Sequence, residues 1–265
     1  MSDFVRLEYR DVTMHFALKG GQGALTAVTN VSFSVRDGEV VSLIGPSGCG
    51  KSTLLNIGAG LVAPSEGAAL IDGQAITGPT AHVAFMLQKD LLLPWRTVAE
   101  NVAFGAEIQR VPVVERRRRA TAQLENLNLR EFANHYPHQL SGGMRQRVAL
   151  ARTLAVDPHV LLLDEPFSAV DAQTRMILQR ELAQMLRTAG KTALLITHDL
   201  MEAVVLSDRV LVMSQRPGRL VDEITIELPQ RVDPMARRHN PGANDYVTRL
   251  MDRLEIAPEA KRGMP

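Results

Sequence analysis

The sequence predicts an α/β fold in which an all-helical segment is inserted into a mostly parallel sheet. Short apolar, β-rich runs return at residues 160–163, 192–197 and 209–213, and a helical stretch at 173–189 separates the first two. Strands that alternate with helices in this way are typical of a parallel sheet. Between residues 91 and 157 the pattern is helical, so this segment is expected to interrupt the sheet. A chain of 265 residues can form one large domain or a domain with a subdomain.

The first third of the chain predicts short strands joined by turns. Lys19 to Gly23 is expected to form a flexible loop, and the pairs Asp37-Gly38 and Asp72-Gly73 are typical of turns. The second pair predicts a β-hairpin that begins at Gly67. The strands are expected at residues 4–12, 28–35, 40–44, 67–71 and 83–87.

The tail at 229–265 contains more proline and glycine than the preceding segment. It then carries apolar residues at helical spacing, which predicts a short docking helix. These residues are Val247, Leu250, Met251 and Leu254. The last residues, 257–265, are expected to be frayed.

The chain carries a complete phosphate-binding loop of the pattern G-x-x-x-x-G-K-[ST] at residues 45–53. The matching residues are Gly45, Pro46, Ser47, Gly48, Cys49, Gly50, Lys51, Ser52 and Thr53. The glycines allow backbone N–H groups to point inward at a helix N-terminus, the lysine can reach the β- and γ-phosphates, and the serine hydroxyl can bind Mg²⁺. A chance glycine-rich turn would not place strand, lysine, hydroxyl and helix in this order. The loop therefore predicts binding of a nucleoside triphosphate.

Two adjacent carboxylates end the apolar strand at 160–163. Asp164 and Glu165 are expected at the carboxyl edge of the sheet, where open α/β sheets bind ligands. Asp164 is predicted to hold the Mg²⁺ shell, and Glu165 is predicted to polarise the attacking water. An acidic turn after a strand is the alternative, and the presence of the phosphate loop argues against it.

A second predicted anion site lies at Ser141-Gly142-Gly143. Ser141 is a good helix N-cap, and the two glycines leave backbone N–H groups uncovered at a helix start. An ordinary capped amphipathic helix would explain the serine. It would not explain two consecutive glycines, which have low helix propensity.

These motifs occur in the order typical of ATP-binding cassette (ABC) ATPases, and the chain resembles this family over about residues 4–228. The resemblance implies a RecA-like ATP core, an antiparallel β subdomain and a helical subdomain at about 91–157, all within an ABC ATPase domain at 1–228. It is carried by the phosphate loop, Leu140-Ser141-Gly142-Gly143, the acidic strand 160–166, Ser168-Ala169-Val170-Asp171 and Thr197-His198-Asp199.

The resemblance also implies a head-to-tail homodimer. Each ATP would lie between the phosphate loop of one chain and Ser141, Gly142 and Gly143 of the other chain. Asp171 is implied to communicate across this dimer. The two predicted anion sites would then bind one nucleotide from opposite sides.

Three further roles follow from the resemblance. Gln88 is implied to contact Mg²⁺ and water and to sense the membrane partner, while His198 is implied to contact the γ-phosphate. Phe16 stands where the family places an aromatic ring under adenine, although tyrosine or tryptophan is more usual there. Met144 stands where glutamine is frequent, and little effect is expected from this departure.

Composition narrows the classes of partner. A formal net charge of +1 gives no argument for nucleic-acid binding, and the single cysteine excludes an internal disulfide framework and suits a reducing compartment. Residues 1–6 lack the layout of a signal peptide, and no apolar run approaches the ~20 residues that span a bilayer. We therefore expect a separate chain to provide any membrane part.

Within the family, the chain is similar to the nitrate/sulfonate/taurine importer group. We predict the ATP-hydrolysing subunit of a bacterial-type importer, bound peripherally at the cytoplasmic face of the inner membrane. Its partners would be integral permease subunits and, indirectly, a periplasmic or extracellular solute-binding protein, and the sequence does not identify the solute. The similar segments are 93–98, 101–105, 214–219 and 228–231.

Two other functions would also use a phosphate-binding loop. A soluble ABC ATPase that acts on nucleic acid or ribosomes is the main alternative, and the near-neutral charge and the lack of a long heptad insertion count against it. A P-loop kinase would leave Ser141, Gly142 and Gly143 unexplained.

Trp95 and the histidines outside the motifs are interpreted one by one. Trp95, the only tryptophan, belongs either to the core or to a groove for a helix of the membrane subunit. The histidines other than His198 are interpreted as surface or capping residues; they are His15, His82, His135, His138, His159 and His239.

Overall fold

The structure is a computed structural model that describes residues 3–18, 23–168 and 170–254. Residues 19–22 of the loop predicted at 19–23, Ala169 and the predicted frayed end at 257–265 lie outside the described residues. The described strands are β1 Val5–Ala17, β2 Ala24–Arg36, β3 Val40–Ile44, β4 Glu66–Ile71, β5 Gln74–Ala75, β6 Val83–Met86, β7 Val160–Asp164, β8 Thr192–Ile196, β9 Arg209–Met213 and β10 Leu220–Thr225. The described α-helices are α1 Lys51–Gly58, α2 Val98–Ile108, α3 Val113–Asn126, α4 Gly142–Ala155, α5 Ala172–Thr188, α6 Leu200–Leu206, α7 Pro234–His239 and α8 Gly242–Arg253.

The larger sheet has the strand order β10-β9-β3-β8-β7-β6. All neighbouring pairs in it are parallel except β10 with β9, which are antiparallel. Every residue of β3, β8 and β9 is buried, because helices or the second sheet cover both faces. The predicted parallel sheet is confirmed, whereas β10 was not predicted because Asp222 and Glu223 interrupt its apolar residues.

The smaller sheet is antiparallel, with the order β2-β1-β4-β5. It packs over α1 and one face of the larger sheet, so that Leu7, Leu54 and Leu162 share one buried cluster. The hydroxyl of Tyr9 crosses this layer and donates to the Leu54 carbonyl oxygen at 2.8 Å. Burial raises the pKa of this hydroxyl. The hairpin predicted at Asp72-Gly73 joins β4 to β5.

The segment between β6 and β7 is helical, as its pattern predicts, but its first α-helix begins only at Val98. Thr97 and Glu100 form a capping box at this start. Buried Asn101 donates to the carbonyl oxygens of Leu93, Arg96 and Thr97, and this ties the preceding non-helical loop to α2. α2, α3 and α4 share a core with the larger sheet.

The tail helices pack on the outer face of the larger sheet. α8 lies where the spacing predicts a helix, and Leu250 is fully buried in a cluster with residues of α6, β9 and β10. α7 was not predicted, since it is short and contains few apolar residues. Arg237 of α7 is buried and donates to carbonyl oxygens at the end of α6, the shortest bond being 2.8 Å to Ser207.

Candidate active site

The phosphate loop links buried β3 to α1 at the carboxyl edge of the larger sheet. Gly48 and Gly50 have φ angles of 76° and 99°, which side chains rarely adopt. A Cβ atom on Gly50 would also lie 2.3 Å from a Val28 methyl carbon, so only glycine fits there. The first N–H groups of α1, from Lys51 to Thr53, have no carbonyl partner within the helix. The loop is therefore shaped as an anion cradle.

Lys51 is mostly buried beside this loop. Its Nζ donates to the carbonyl oxygens of Gly45 and Pro46, at 2.7 and 3.0 Å. It also lies 3.7 Å from the Sγ atom of Cys49, which is buried beneath the loop. These contacts hold the ammonium group at the cradle, where it adds positive charge to the backbone N–H groups.

Asp164 ends β7 beside the start of α1. Its carboxylate accepts a hydrogen bond from the Ser52 side chain. Burial raises the pKa of Asp164, and the neighbouring Glu165 charge raises it further, while Ser52 and Lys51 oppose these effects. A carboxylate and a hydroxyl in contact at the phosphate loop are oxygen ligands of the kind that Mg²⁺ prefers. The residues therefore fit a Mg²⁺ site.

Gln88, Glu165 and His198 come together although they are far apart in sequence. Gln88 Nε2 donates to Glu165 Oε2 at 2.9 Å, and His198 Nδ1 lies 3.3 Å from the same oxygen. The Glu165 side chain is 24% exposed and that of His198 is 63% exposed, so solvent reaches this group. Glu165 has a φ of 46°, and its N–H donates to the Ile196 carbonyl oxygen at 2.9 Å. The strand end thus turns Glu165 toward Gln88 and His198.

A cavity of about 290 Å³ lies against the phosphate loop. Phe16 and Glu165, both predicted site residues, form part of its wall. Arg216 was not predicted to belong here; it lines the cavity and its Nε donates to the Gly48 carbonyl oxygen at 3.0 Å. Its position depends on the pairing of β9 with β3, which is a tertiary feature. The complete lining is Phe16, Leu25, Ala27, Ser47, Gly48, Gly50, Lys51, Ser52, Thr53, Glu165, Ile196 and Arg216.

The second predicted anion site does not line this cavity. Ser141 caps α4, and its hydroxyl accepts from the Met144 N–H at 3.3 Å. Ser141 and Gly142 are exposed, and a Cβ atom on Gly143 would lie 2.7 Å from a Thr174 methyl carbon of α5. One chain therefore presents Ser141, Gly142 and Gly143 on its surface, away from its own phosphate loop.

Asp171 caps the next helix, α5. Its carboxylate accepts from the Thr174 N–H at 3.0 Å. Hydrogen bonds from Thr174 lower the pKa of Asp171. The side chain lies at an exposed helix start and not in the cavity.

The segment after Gln88 divides between core and surface. Leu92 is buried, whereas Trp95 is 71% exposed and Leu91 is also exposed. The core interpretation is therefore wrong for Trp95.

Within the described residues, none of the helices has both the length and the apolar character required to cross a bilayer.

The protein resembles known ABC proteins in sequence. The model of the ABC transporter family matches residues 28–168, more than half of the chain. An ABC transporter ATP-binding protein of Methanocaldococcus jannaschii is 46% identical over 229 residues, which cover 86% of this chain and 85% of that protein. The taurine import ATP-binding protein TauB of Yersinia pestis is 46% identical over 205 residues, covering 77% and 80% of the two chains.

Further similarities extend along the chain and to solved structures. The nitrate import ATP-binding protein NrtC of Synechococcus elongatus is 41% identical over 265 residues, 99% of this chain but only 40% of that longer protein. A dimeric ATP-binding cassette bound to ADP and Pi superimposes with a TM-score of 0.74 at 34% identity, covering 83% of this chain and 99% of that one. The site geometry and these similarities agree, and the protein belongs to the ABC transporter ATP-binding family and is an ATPase.

Proposed function

We propose that this chain is the ATP-hydrolysing subunit of an ABC importer for nitrate-, sulfonate- or taurine-like solutes. It would act as a homodimer bound to separate permease subunits at the cytoplasmic face of the membrane. The observation that carries the catalytic part is the convergence of Gln88 and His198 on one carboxylate oxygen of Glu165, which lines the cavity at the phosphate loop. The similarity to nitrate and taurine import proteins supports the transport part.

Glu165 is proposed to act as the general base. Its Oε2 atom accepts a hydrogen bond from Gln88 and lies 3.3 Å from His198 Nδ1, and these contacts orient the carboxylate. A water held near this oxygen would transfer a proton to Glu165 as it attacks the γ-phosphorus, and ADP would leave with the bridging oxygen. His198 is proposed to contact the γ-phosphate, and Lys51 would exchange its loop carbonyl partners for phosphate oxygens.

Ser52 and Asp164 are the proposed Mg²⁺ ligands, with Gln88 contributing its amide oxygen. Bound Mg²⁺ would neutralise charge on the β- and γ-phosphate oxygens. Phe16, at the cavity wall and 40% exposed, is proposed to stack on adenine. Arg216 lies on the same wall and would add a positive charge near the nucleotide.

The dimer is proposed because the second predicted anion site does not line the cavity at the phosphate loop of its own chain. Ser141 and Gly142 are exposed and Gly143 is half-buried at the start of α4, and none of the three lines the chain's own cavity. In a head-to-tail pair they would approach the γ-phosphate bound by the partner chain, with Asp171 near the same interface. ATP would then favour the closed pair, and its hydrolysis would release it.

A complementation experiment tests the dimer. Lys51→Ala removes the phosphate-loop cation, and Ser141→Arg blocks the second anion site, so each variant alone should be nearly inactive. In a mixed dimer, one site combines the intact loop of one chain with the intact serine of the other. An equal mixture should therefore recover about a quarter of the wild-type activity, since half of the pairs carry one good site of two. No recovery would contradict the shared site.

Co-purification and solute response test the transport role. Trp95 is proposed to anchor a helix of the permease, because aromatic side chains that remain exposed often anchor interfaces. The chain should co-purify with a permease, and solute-loaded binding protein should stimulate ATP hydrolysis in that complex. Trp95→Ala should weaken both effects while the basal rate stays near wild type. Stimulation by DNA, RNA or ribosomes in place of solute would contradict the proposal.

A further inference from the structure

Two histidines and an aspartate meet outside the candidate active site. His82 Nδ1 lies 3.2 Å from His159 Nδ1, and His159 Nδ1 lies 3.0 Å from Asp72 Oδ2. One ligand atom from each of the three residues lies within 4.8 Å of the other two. We propose that these three side chains form a binding site for a transition-metal dication of the Zn²⁺ type.

The spacing of the three atoms suits such an ion. With Zn–N bonds of about 2.0–2.1 Å, two ligand atoms of a tetrahedral site lie roughly 3.3 Å apart. The two closest pairs in the cluster, at 3.2 and 3.0 Å, are near this separation. Two imidazoles and one carboxylate are a donor set that zinc binds, and three protein ligands leave the fourth position for water.

The protons of the cluster also favour a cation. A neutral imidazole carries one N–H, so the Nδ1 of His159 has at most one proton to share. That proton faces two acceptors when His82 presents a lone pair: the Nδ1 of His82 and the carboxylate of Asp72. With the His159 proton on Nε2 instead, one dication at the centre would interact with a lone pair of each of the three residues.

The backbone holds the two histidines side by side. The carbonyl oxygen of His82 accepts from the N–H of His159 at 2.8 Å and from that of Val160 at 3.0 Å. The two rings contact each other with centroids 4.5 Å apart. Because the β6–β7 pairing already fixes this spacing, the two histidines should lose little conformational entropy when an ion binds.

Arg6 orients Asp72, the carboxylate ligand, through the oxygen that does not face His159. Its Nη1 donates to Oδ1 of Asp72 at 2.9 Å, which leaves Oδ2 facing His159, and its Nε donates to Asp37 at 2.7 Å. Such outer contacts orient metal ligands. Partial burial raises the pKa of Asp72, but hydrogen bonds from Arg6 and His159 outweigh this effect and lower it. Arg6, Asp37 and Asp72 together carry one net negative charge, so a cation is attracted.

The location indicates what the ion would do. Asp72 lies in the turn between β4 and β5, and His82 and His159 immediately precede the parallel strands β6 and β7. The site therefore joins the antiparallel sheet to the larger sheet at the edge opposite the phosphate loop. An ion bound there would stabilise the contact between the sheets without touching the catalytic residues.

Zinc titration of the metal-stripped, tag-free full chain, without nucleotide, tests this proposal. Competition with a chromophoric chelator should give one tight Zn²⁺ per chain, and Zn²⁺ should raise the thermal unfolding midpoint. Replacing either ligand, His82→Ala or His159→Ala, should weaken binding by at least about 10-fold, since a lost ligand costs no less than a lost outer contact.

A matched variant distinguishes this site from general surface binding. His239→Ala removes an exposed histidine on α7, far from the cluster in sequence, and should leave zinc affinity unchanged. Circular dichroism checks that each variant is folded before titration. The proposal is overturned if the wild-type chain binds no tight Zn²⁺ and gains no thermal stability. It is equally overturned if His82→Ala and His159→Ala keep wild-type affinity, or if His239→Ala loses as much.

Discussion

Replacement of Glu165 by glutamine is the most direct test of the proposed catalytic group. The change keeps the length of the side chain, and the φ of 46° at this residue strains both side chains alike. An amide oxygen can still accept the hydrogen bond from Gln88, so the position of Gln88 beside residue 165 should change little. What is lost is the ability to accept a proton.

The expected loss of turnover follows from the loss of proton transfer alone. Loss of a general base costs about 10²–10⁴-fold in turnover, which corresponds to roughly 3–5 kcal/mol of the barrier. Binding should not weaken, because the Glu165 charge raises the pKa of Asp164, and its removal leaves Asp164 more readily ionised. Glu165→Gln should therefore bind ATP with at least wild-type affinity and accumulate as an ATP-bound dimer.

Three measurements check this prediction. Phosphate release gives the turnover, calorimetry gives the ATP affinity, and size-exclusion chromatography gives the oligomeric state with ATP. Glu131→Gln, an exposed site in the helical segment, removes the same charge away from the site and should match the wild type in all three. Wild-type turnover by Glu165→Gln would remove Glu165 from the role of base. A loss of ATP binding would show that the residue acts in binding instead.

Three further predictions address binding and stability. Lys51→Ala should lower ATP affinity and turnover together, because the ammonium group lies at the phosphate loop; calorimetry with unchanged affinity would contradict this. Burial raises the pKa of Glu202 to about 7, with Asp199 adding to the shift and a hydrogen bond from Thr197 opposing it. The protonated carboxyl should therefore contribute its full stabilisation below the pKa of the unfolded chain, and this contribution should be lost as the pH rises through 7. Glu202→Gln should flatten this part of the profile of unfolding free energy against pH, and an unchanged slope in denaturant titrations would contradict the assignment. Arg237→Ala should lower the unfolding free energy by about 3 kcal/mol, because buried carbonyl oxygens at the end of α6 lose their donor. Replacement of the exposed Arg249 by alanine is the control and should change the unfolding free energy by less than about 0.5 kcal/mol. Equal effects of the two variants in urea titrations would refute the reasoning.

Local sequence patterns predicted many of the strands and helices, because these elements depend on the residues of one short segment. The apolar runs at Val40–Ile44 and Val160–Asp164 are buried strands, since a parallel sheet covered on both faces requires uninterrupted apolar residues. β1 continues to Ala17, beyond the predicted end at Val12, because pairing with β2 and not the residues themselves extends it. The edge strand β10 was not predicted for a similar reason: two acidic residues interrupt its apolar run, and pairing with β9 holds it as a strand.

The sequence by itself determined the phosphate loop, the carboxylates at the strand end and the capped start of α4, because each is a contiguous segment whose chemistry is local. The tertiary structure alone decided that Gln88 and His198 share one oxygen of Glu165, and that Arg216 reaches the cavity wall. It also brought His82 and His159, interpreted from sequence as surface or capping residues, within 3.2 Å of each other beside Asp72. These residues come from separate segments, and their distances depend on strand order, which no short stretch of sequence encodes.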